Sequence, residues 1–160
     1  MIKAGILKDL DVFHAFSNVQ LEELSKITEK RTFEKGALVY QRGYRADRIY
    51  LVTKGLVGLD KLKPGEKKGI FFEHREKGDL FGTACFLELQ KYSLTAVCLQ
   101  DSEVMSIDAD KFFELCQSDP ELGYKFLKKV VQIYFGRYQA AKGQIHKMIK
   151  TPTITTALPG

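Results

Sequence analysis

The stretch Lys77-Gly-Asp-Leu-Phe-Gly-Thr-Ala-Cys-Phe-Leu87 holds the residue types and spacing best suited to chemistry in this sequence. A glycine followed by small and hydroxyl-bearing residues that open a short helix exposes backbone N–H groups, and such a nest favours an anion. A tight turn with Phe81 plugged into the core satisfies the same residues, so on the residues alone both readings stay open. Elsewhere the chemistry is sparse. His14, His74 and His146 lie far apart with no HExxH spacing, and GxSxG, GxxxxGK[ST] and a GxGxxG after a strand are all missing. The three histidines therefore read as surface or helix-packing residues. Asp47, Asp60 and Glu73 form no pair suited to acid–base work. Cys85, Cys98 and Cys116 are odd in number and lack CxxC spacing, which points to small core residues rather than a disulfide framework or zinc site. The chain reads as a binding protein and not as an enzyme.

The elements that must position this stretch follow from periodicity. A chain of 160 residues with 44% apolar and 28% charged residues suits one folded domain. The sequence has no apolar run long enough to span a membrane and its N-terminus lacks the pattern of a secretory signal, so a cytoplasmic address is expected. The first thirty residues carry helical spacing, with Ser17 or Asn18 as cap and Leu21, Leu24 and Ile27 as a stripe. From Arg31 to about Ile107, short β-prone runs alternate with glycine-centred turns, the pattern of a sandwich or barrel. The runs are Ala37–Tyr40, Arg48–Val52, Leu56–Leu59, Gly69–Phe72, Ser93–Leu99 and Glu103–Ile107, with Pro64-Gly65 as a hairpin tip. Leu80 to Gln90 is too long for a simple hairpin loop and predicts a short helix. After Ile107, Asp108-Ala-Asp110 caps a short helix, and Pro120 opens a long one reaching about residue 149. Its apolar arc is too wide for one buried stripe, so one part should face the strands and another a second subunit, with Gly136 and Gly143 marking either close helix approach or a kink. Residues 1–150 make one domain and 151–160 a loose tail.

The order of these motifs resembles the cyclic-nucleotide-binding domain family, the effector module of catabolite-activator-type regulators, cyclic-nucleotide-dependent kinases and gated channels. Phe33-Glu-Lys-Gly36 through Gly43, Asp47, Tyr50 and Gly55 is similar to the family's first strands and paired glycine turns. Gly78-Asp79-Leu80-Phe81-Gly82 is similar to the entry of its phosphate-binding cassette, and Ser102-Glu-Val-Met-Ser-Ile107 to the strand before its closing helices. The resemblance implies a mainly β fold, an eight-stranded jelly-roll barrel with N-terminal helices, an internal nucleotide pocket and a long C-terminal helix at about 120–149 as lid and dimer contact. The ligand-binding residues it implies are Phe81, Gly82, Thr83, Ala84, Cys85, Tyr92, Ser93 and Leu94, with Arg137 and Tyr138 where the long helix reaches the pocket.

Two departures qualify that expectation. After Phe-Gly the family's nucleotide binders carry a Glu for the ribose 2′-hydroxyl and further on an Arg for the cyclic phosphate; the matching positions here hold Thr83 and Tyr92. A guanidinium grips phosphate through charge-assisted hydrogen bonds, whereas a phenol offers one neutral donor. Lys91 points to the other face of a strand and is a poor replacement. Cyclic-nucleotide affinity is therefore expected to be altered or weakened. In the transcription-factor branch a winged helix-turn-helix follows the long helix, but only ten residues follow Lys150, so this chain alone is not expected to bind DNA sequence-specifically.

The leading expectation is a stand-alone regulatory sensor that dimerises through its last helix and takes a cyclic nucleotide or another small anionic effector; no cofactor is certain. A degenerate, ligand-free interaction module is one alternative, and a sensor of a different small ligand, such as a haem-bound gas or an aromatic acid, is another. The net charge of +5 is concentrated: residues 121 to 150 carry seven cations and one acid, while the rest is close to neutral. That distribution suggests an acidic protein partner at the helix, with solvated helix charge as the plainer account.

Overall fold

The computed structural model describes residues 1–62, 65–66 and 73–149. Helices open the chain as read: α1 (Ala4–Lys8), a 3-10 turn at Asp11–Phe13 and α2 (Asn18–Lys26). Ser17 closes a capping box, its hydroxyl accepting from the Gln20 N–H at 3.2 Å while Gln20 Oε1 accepts from the Ser17 N–H at 3.1 Å. Leu21 and Leu24 are buried beneath it.

Eight strands follow among the described residues: β1 (Thr28–Phe33), β2 (Leu38–Tyr40), β3 (Arg48–Lys54), β4 (Val57–Asp60), β5 (Glu73–Arg75), β6 (Leu80–Phe81), β7 (Thr95–Cys98) and β8 (Ser102–Asp108). They form two antiparallel four-stranded sheets, β1-β8-β3-β6 and β2-β7-β4-β5, around one shared hydrophobic core. This is the expected jelly-roll fold, but the sheets are not closed into a barrel. Among the described residues, the outer strands β6 and β2 span only two and three residues, too short to carry a closing ladder.

β1 lies partly in what the sequence assigns to helix. Its residues Thr-Glu-Lys-Arg-Thr-Phe have no apolar face; the full ladder to β8, from Thr28 opposite Ile107 to Phe33 opposite Ser102, holds it. β5 begins where the described residues resume at Glu73, directly after the run expected at Gly69–Phe72; that run and the Pro64 side of the hairpin tip lie outside the described residues.

The closing helices are α3 (Ala109–Ser118) and α4 (Pro120–Met148). Asp108 caps α3 by accepting from the Lys111 N–H at 3.0 Å, and Asp119 caps α4 by accepting from the Leu122 N–H at 3.1 Å, with Pro120 in the first turn. α4 runs through Gly136 and Gly143 as one helix, and an added Cβ at either would meet nothing within 4 Å. Within the chain, α4 comes closest to α3 at Gly123, where a Cβ would sit 3.1 Å from the Cys116 side chain. Phe112 and Phe126 pack there with centroids 4.6 Å apart. The N-terminal helices are latched to α4 by Lys129–Asp11 at 2.6 Å and by Gln20, which donates to Asp119 at 3.1 Å and accepts from Lys125 at 3.0 Å. The expected tail at 151–160 lies outside the described residues.

Candidate functional site

The chain turns sharply after β6. Gly82 has φ +71° and begins a 3-10 turn, Thr83–Phe86, the short helix expected between Leu80 and Gln90. A Cβ at Gly82 would lie 2.8 Å from the Tyr50 ring and 3.3 Å from the Arg48 carbonyl, so both the backbone conformation and the packing require glycine. Phe81 is fully buried and stacks on Tyr50 at 5.2 Å, which is the core-plug arrangement weighed for this turn.

Between this turn, the second sheet and α4 lies a cavity of about 450 Å³, inside the ~300–1,000 Å³ range of small-molecule sites. Of the residues singled out from the sequence, Phe81, Gly82, Thr83, Ala84, Tyr92, Ser93, Leu94 and Arg137 line it together. Cys85 does not: it is buried beside the turn, and burial pushes its thiol up to about 12. Tyr138 is also off the cavity, one position past Arg137 and so rotated away on the helix.

Tyr92, where the family's phosphate arginine is expected, is only 3% exposed. Its ring stacks on Tyr40 at 3.8 Å, and its hydroxyl donates to the Arg48 carbonyl at 2.8 Å and accepts from the Arg48 N–H at 3.3 Å. The phenol is thus spent on the protein's own backbone. Thr83, where the resemblance leads one to expect the glutamate, shares a short hydrogen bond with the hydroxyl of Tyr134 on α4. Phe86 sits among Phe112, Phe113 and Phe126 at 5.6–6.3 Å, so the turn is packed directly against α3 and α4.

The cations of the cavity are Arg137 and Arg75. Arg137 Nη2 donates to the Leu80 carbonyl at 2.6 Å, and its guanidinium lies over the Tyr134 ring at 5.1 Å. The sequence left open whether this arginine is solvated on the helix surface; it reaches into the fold. Burial holds its pKa below the ordinary arginine value, and the nearby charge of Arg75 adds to the effect. Arg75, on β5, pairs with Glu73 at 2.8 Å and donates to the His74 carbonyl at 2.9 Å. Arg75 and Glu73 were not among the expected site residues; they line the cavity through the pairing of β5 with β4. Tyr134 and Val130 were accessible in principle, since they lie one and two turns before Arg137 on the same helix face.

His14, His74 and His146 are exposed, and no group of His, Cys, Asp or Glu among the described residues could hold a metal ion. No helix among the described residues is long and apolar enough to cross a membrane.

Comparison with known proteins adds to this geometry. A family model described as cyclic nucleotide-binding domain matches residues 30–119. The Anaerobic regulatory protein of Bacillus subtilis (strain 168) is 31% identical over 108 residues, 67% of this chain and 45% of that protein. This chain therefore spans less than half of that relative. A cyclic nucleotide-binding domain from Methylobacillus flagellatus KT superposes with a TM-score of 0.74 at 18% identity, covering 94% of this chain and 84% of that one. The sensor domain of the transcriptional regulator DNR from Pseudomonas aeruginosa superposes with a TM-score of 0.65 at 21% identity, covering 95% of each. These two likenesses establish a shared fold.

Proposed function

The chain belongs to the cyclic nucleotide-binding domain family, and from that premise we propose that it is a regulatory sensor of a small anionic effector, with weakened affinity for cyclic nucleotides. The observation that carries the reading is the joint lining of one cavity by the turn at Gly82–Phe86 and by α4, with two arginines among the lining residues. An effector seated there would touch both the turn and the helix, the arrangement needed for occupancy to bias the helix position. The module acts by binding and not by catalysis, and a cytoplasmic address goes with it.

Weakened nucleotide affinity rests on Thr83 and Tyr92. Neither replaces the lost charge, and each is already committed, Thr83 to Tyr134 and Tyr92 to Arg48. Each charge-assisted hydrogen bond to phosphate lost in this way removes about 1.5–3 kcal/mol.

α4 supplies the proposed homodimer contact. Tyr124, Val131, Tyr138 and Ile145 recur every seven residues, and Leu127, Tyr134, Ala141 and Met148 follow each by three, which is an a/d seam. All eight are exposed on the single chain. The acidic partner suggested by the helix charge has less to hold, because Lys125 pairs with Glu121 and Lys129 with Asp11 inside the chain.

The degenerate-module reading keeps one specific support, the burial of Tyr92 and Phe81 inside the fold. Isothermal titration with cyclic AMP, cyclic GMP and 4-hydroxyphenylacetate separates the two. Saturable binding of any of them supports the sensor, with the cyclic nucleotides in the high-micromolar to millimolar range. No saturable binding of any up to ~10 mM overturns it in favour of the interaction module, since affinities below that level stabilise by less than RT.

A further inference from the structure

Two of the cavity's lining side chains carry buried N–H groups that find no hydrogen-bond partner among the described residues: Arg75 at Nε and Arg137 at Nη1. Buried donors are nearly always satisfied, and an exception calls for an explanation. Resting on the sensor reading above, we propose that Arg75 and Arg137 form a two-sided clamp for a singly charged oxyanion, a carboxylate or a phosphodiester, carried on an aromatic or apolar body.

The rest of each guanidinium is already fixed. Arg75 is held by Glu73 at 2.8 Å and the His74 carbonyl at 2.9 Å, and Arg137 by the Leu80 carbonyl at 2.6 Å and the Tyr134 ring. Donors fixed in advance lose little freedom when a ligand arrives. Among the described lining residues two arginines stand against Glu73, and Asp79 adds a further negative charge near Arg137, so the small positive excess of the lining suits one negative charge better than two. The body of the ligand is set by Tyr40, Phe81, Phe86, Leu87, Leu94 and Val130, which give the cavity an apolar and aromatic wall. Arg137 also borders a second recess beside Asp79 and Lys129, whose described lining holds no other arginine. The mutual repulsion of Arg75 and Arg137 agrees with that proximity. The anion is thereby moved off the turn at 83–86 and placed between β5 and α4, so that binding ties the helix to the second sheet.

The test is titration calorimetry on the whole chain and on Arg75→Gln, Arg137→Gln and the corresponding Lys variants. The probes are cyclic AMP, 4-hydroxyphenylacetate, 5′-AMP and adenosine. The first two distinguish a phosphodiester from a carboxylate source, while 5′-AMP adds a charge and adenosine removes it. We expect cyclic AMP or the carboxylate to bind, 5′-AMP and adenosine to bind at least about 10-fold more weakly, and each Gln variant to lose about 10-fold or more. The Lys variants should recover only part of the loss, because they keep the charge and lose the fork. In the unsubstituted protein, the side-chain Nε–H cross-peaks of Arg75 and Arg137 should move to saturation with the same probe, a readout independent of whether the variants fold. Binding that leaves those cross-peaks still, or that survives both substitutions, overturns the clamp and spares the sensor. A wild-type chain that binds none of the probes overturns both.

Discussion

Tyr92 and Tyr40 lie face to face inside the fold, with ring centroids 3.8 Å apart and planes 12° from parallel. Both rings line the candidate cavity and also a second groove that holds Arg31, Arg45, Asp47 and Arg48, so the pair stands between the two. Tyr92, where the resemblance leads one to expect the phosphate arginine, thus forms part of a wall, with its hydroxyl pinned at both ends to the main chain of Arg48. Tyr92→Phe keeps the ring stack and removes that pin. It should destabilise the protein by about 1–2 kcal/mol, seen as a fall of roughly 2–8 °C in melting temperature. An unchanged melting temperature would show that the hydroxyl contributes nothing.

The turn at Gly82 gives a paired prediction. Gly78 and Gly82 both have positive φ, +94° and +71°, so alanine is strained at either. Only at Gly82 does the new methyl also collide, with Tyr50 at 2.8 Å. Gly78→Ala should cost about 1 kcal/mol from backbone strain alone, and Gly82→Ala about 2–4 kcal/mol from strain plus overpacking. Urea denaturation of both variants checks the ordering; equal costs would mean that the Tyr50 ring moves aside freely.

Much of the fold was legible because its signals are local. Ser17, Asp108 and Pro120 mark helix starts through side-chain geometry confined to one turn, and the structure places a helix start at each. β3 and β8 were legible from dense apolar runs. β1 was not, since Thr-Glu-Lys-Arg becomes a strand through pairing with β8, a partner distant in sequence. The site divides in the same way. Phe81 to Ala84 and Tyr92 to Leu94 were found by motif order, while Arg75 reaches the cavity through the register of β4 with β5, which sets it opposite Val57 and which the turn residues alone do not fix.

Burial sets the alkaline limit of stability. It raises the phenols of Tyr40, Tyr50 and Tyr92 above the ordinary value of 10.0 and lifts the Cys85 thiol from 9.0 to about 12. These groups stay neutral in the fold and ionise more easily when unfolded. The stability they contribute is complete below pH 9 and is lost as pH rises through 9 to 12. The urea midpoint should fall steadily between pH 9 and 11, and absorbance at 295 nm should show fewer phenolates at pH 11 in the folded protein than in urea. At pH 8 the Cys85 thiolate fraction should be near ~10⁻⁴, so iodoacetamide should modify the partly exposed Cys116 well before it. Early modification of Cys85 would contradict the burial.

Tyr134 belongs to both proposed activities of α4. Its hydroxyl is hydrogen-bonded to Thr83 at the cavity, yet the residue is 44% exposed at a d position of the seam. Val131, 65% exposed and three residues earlier, belongs to the seam without lining the cavity. Val131→Glu should therefore convert a dimer to a monomer in sedimentation at ~100 µM with helix content unchanged, because it places like charges opposite each other in an apolar contact. Effector binding by the monomeric variant should persist, since its cavity is intact. Because Tyr134 touches both surfaces, saturating effector should shift the wild-type dimer dissociation constant, with a coupling of ~1–3 kcal/mol or about 5–150-fold. A dimer constant that does not change with effector would separate the cavity from the seam, and a wild-type chain that is monomeric at ~100 µM would remove the seam itself.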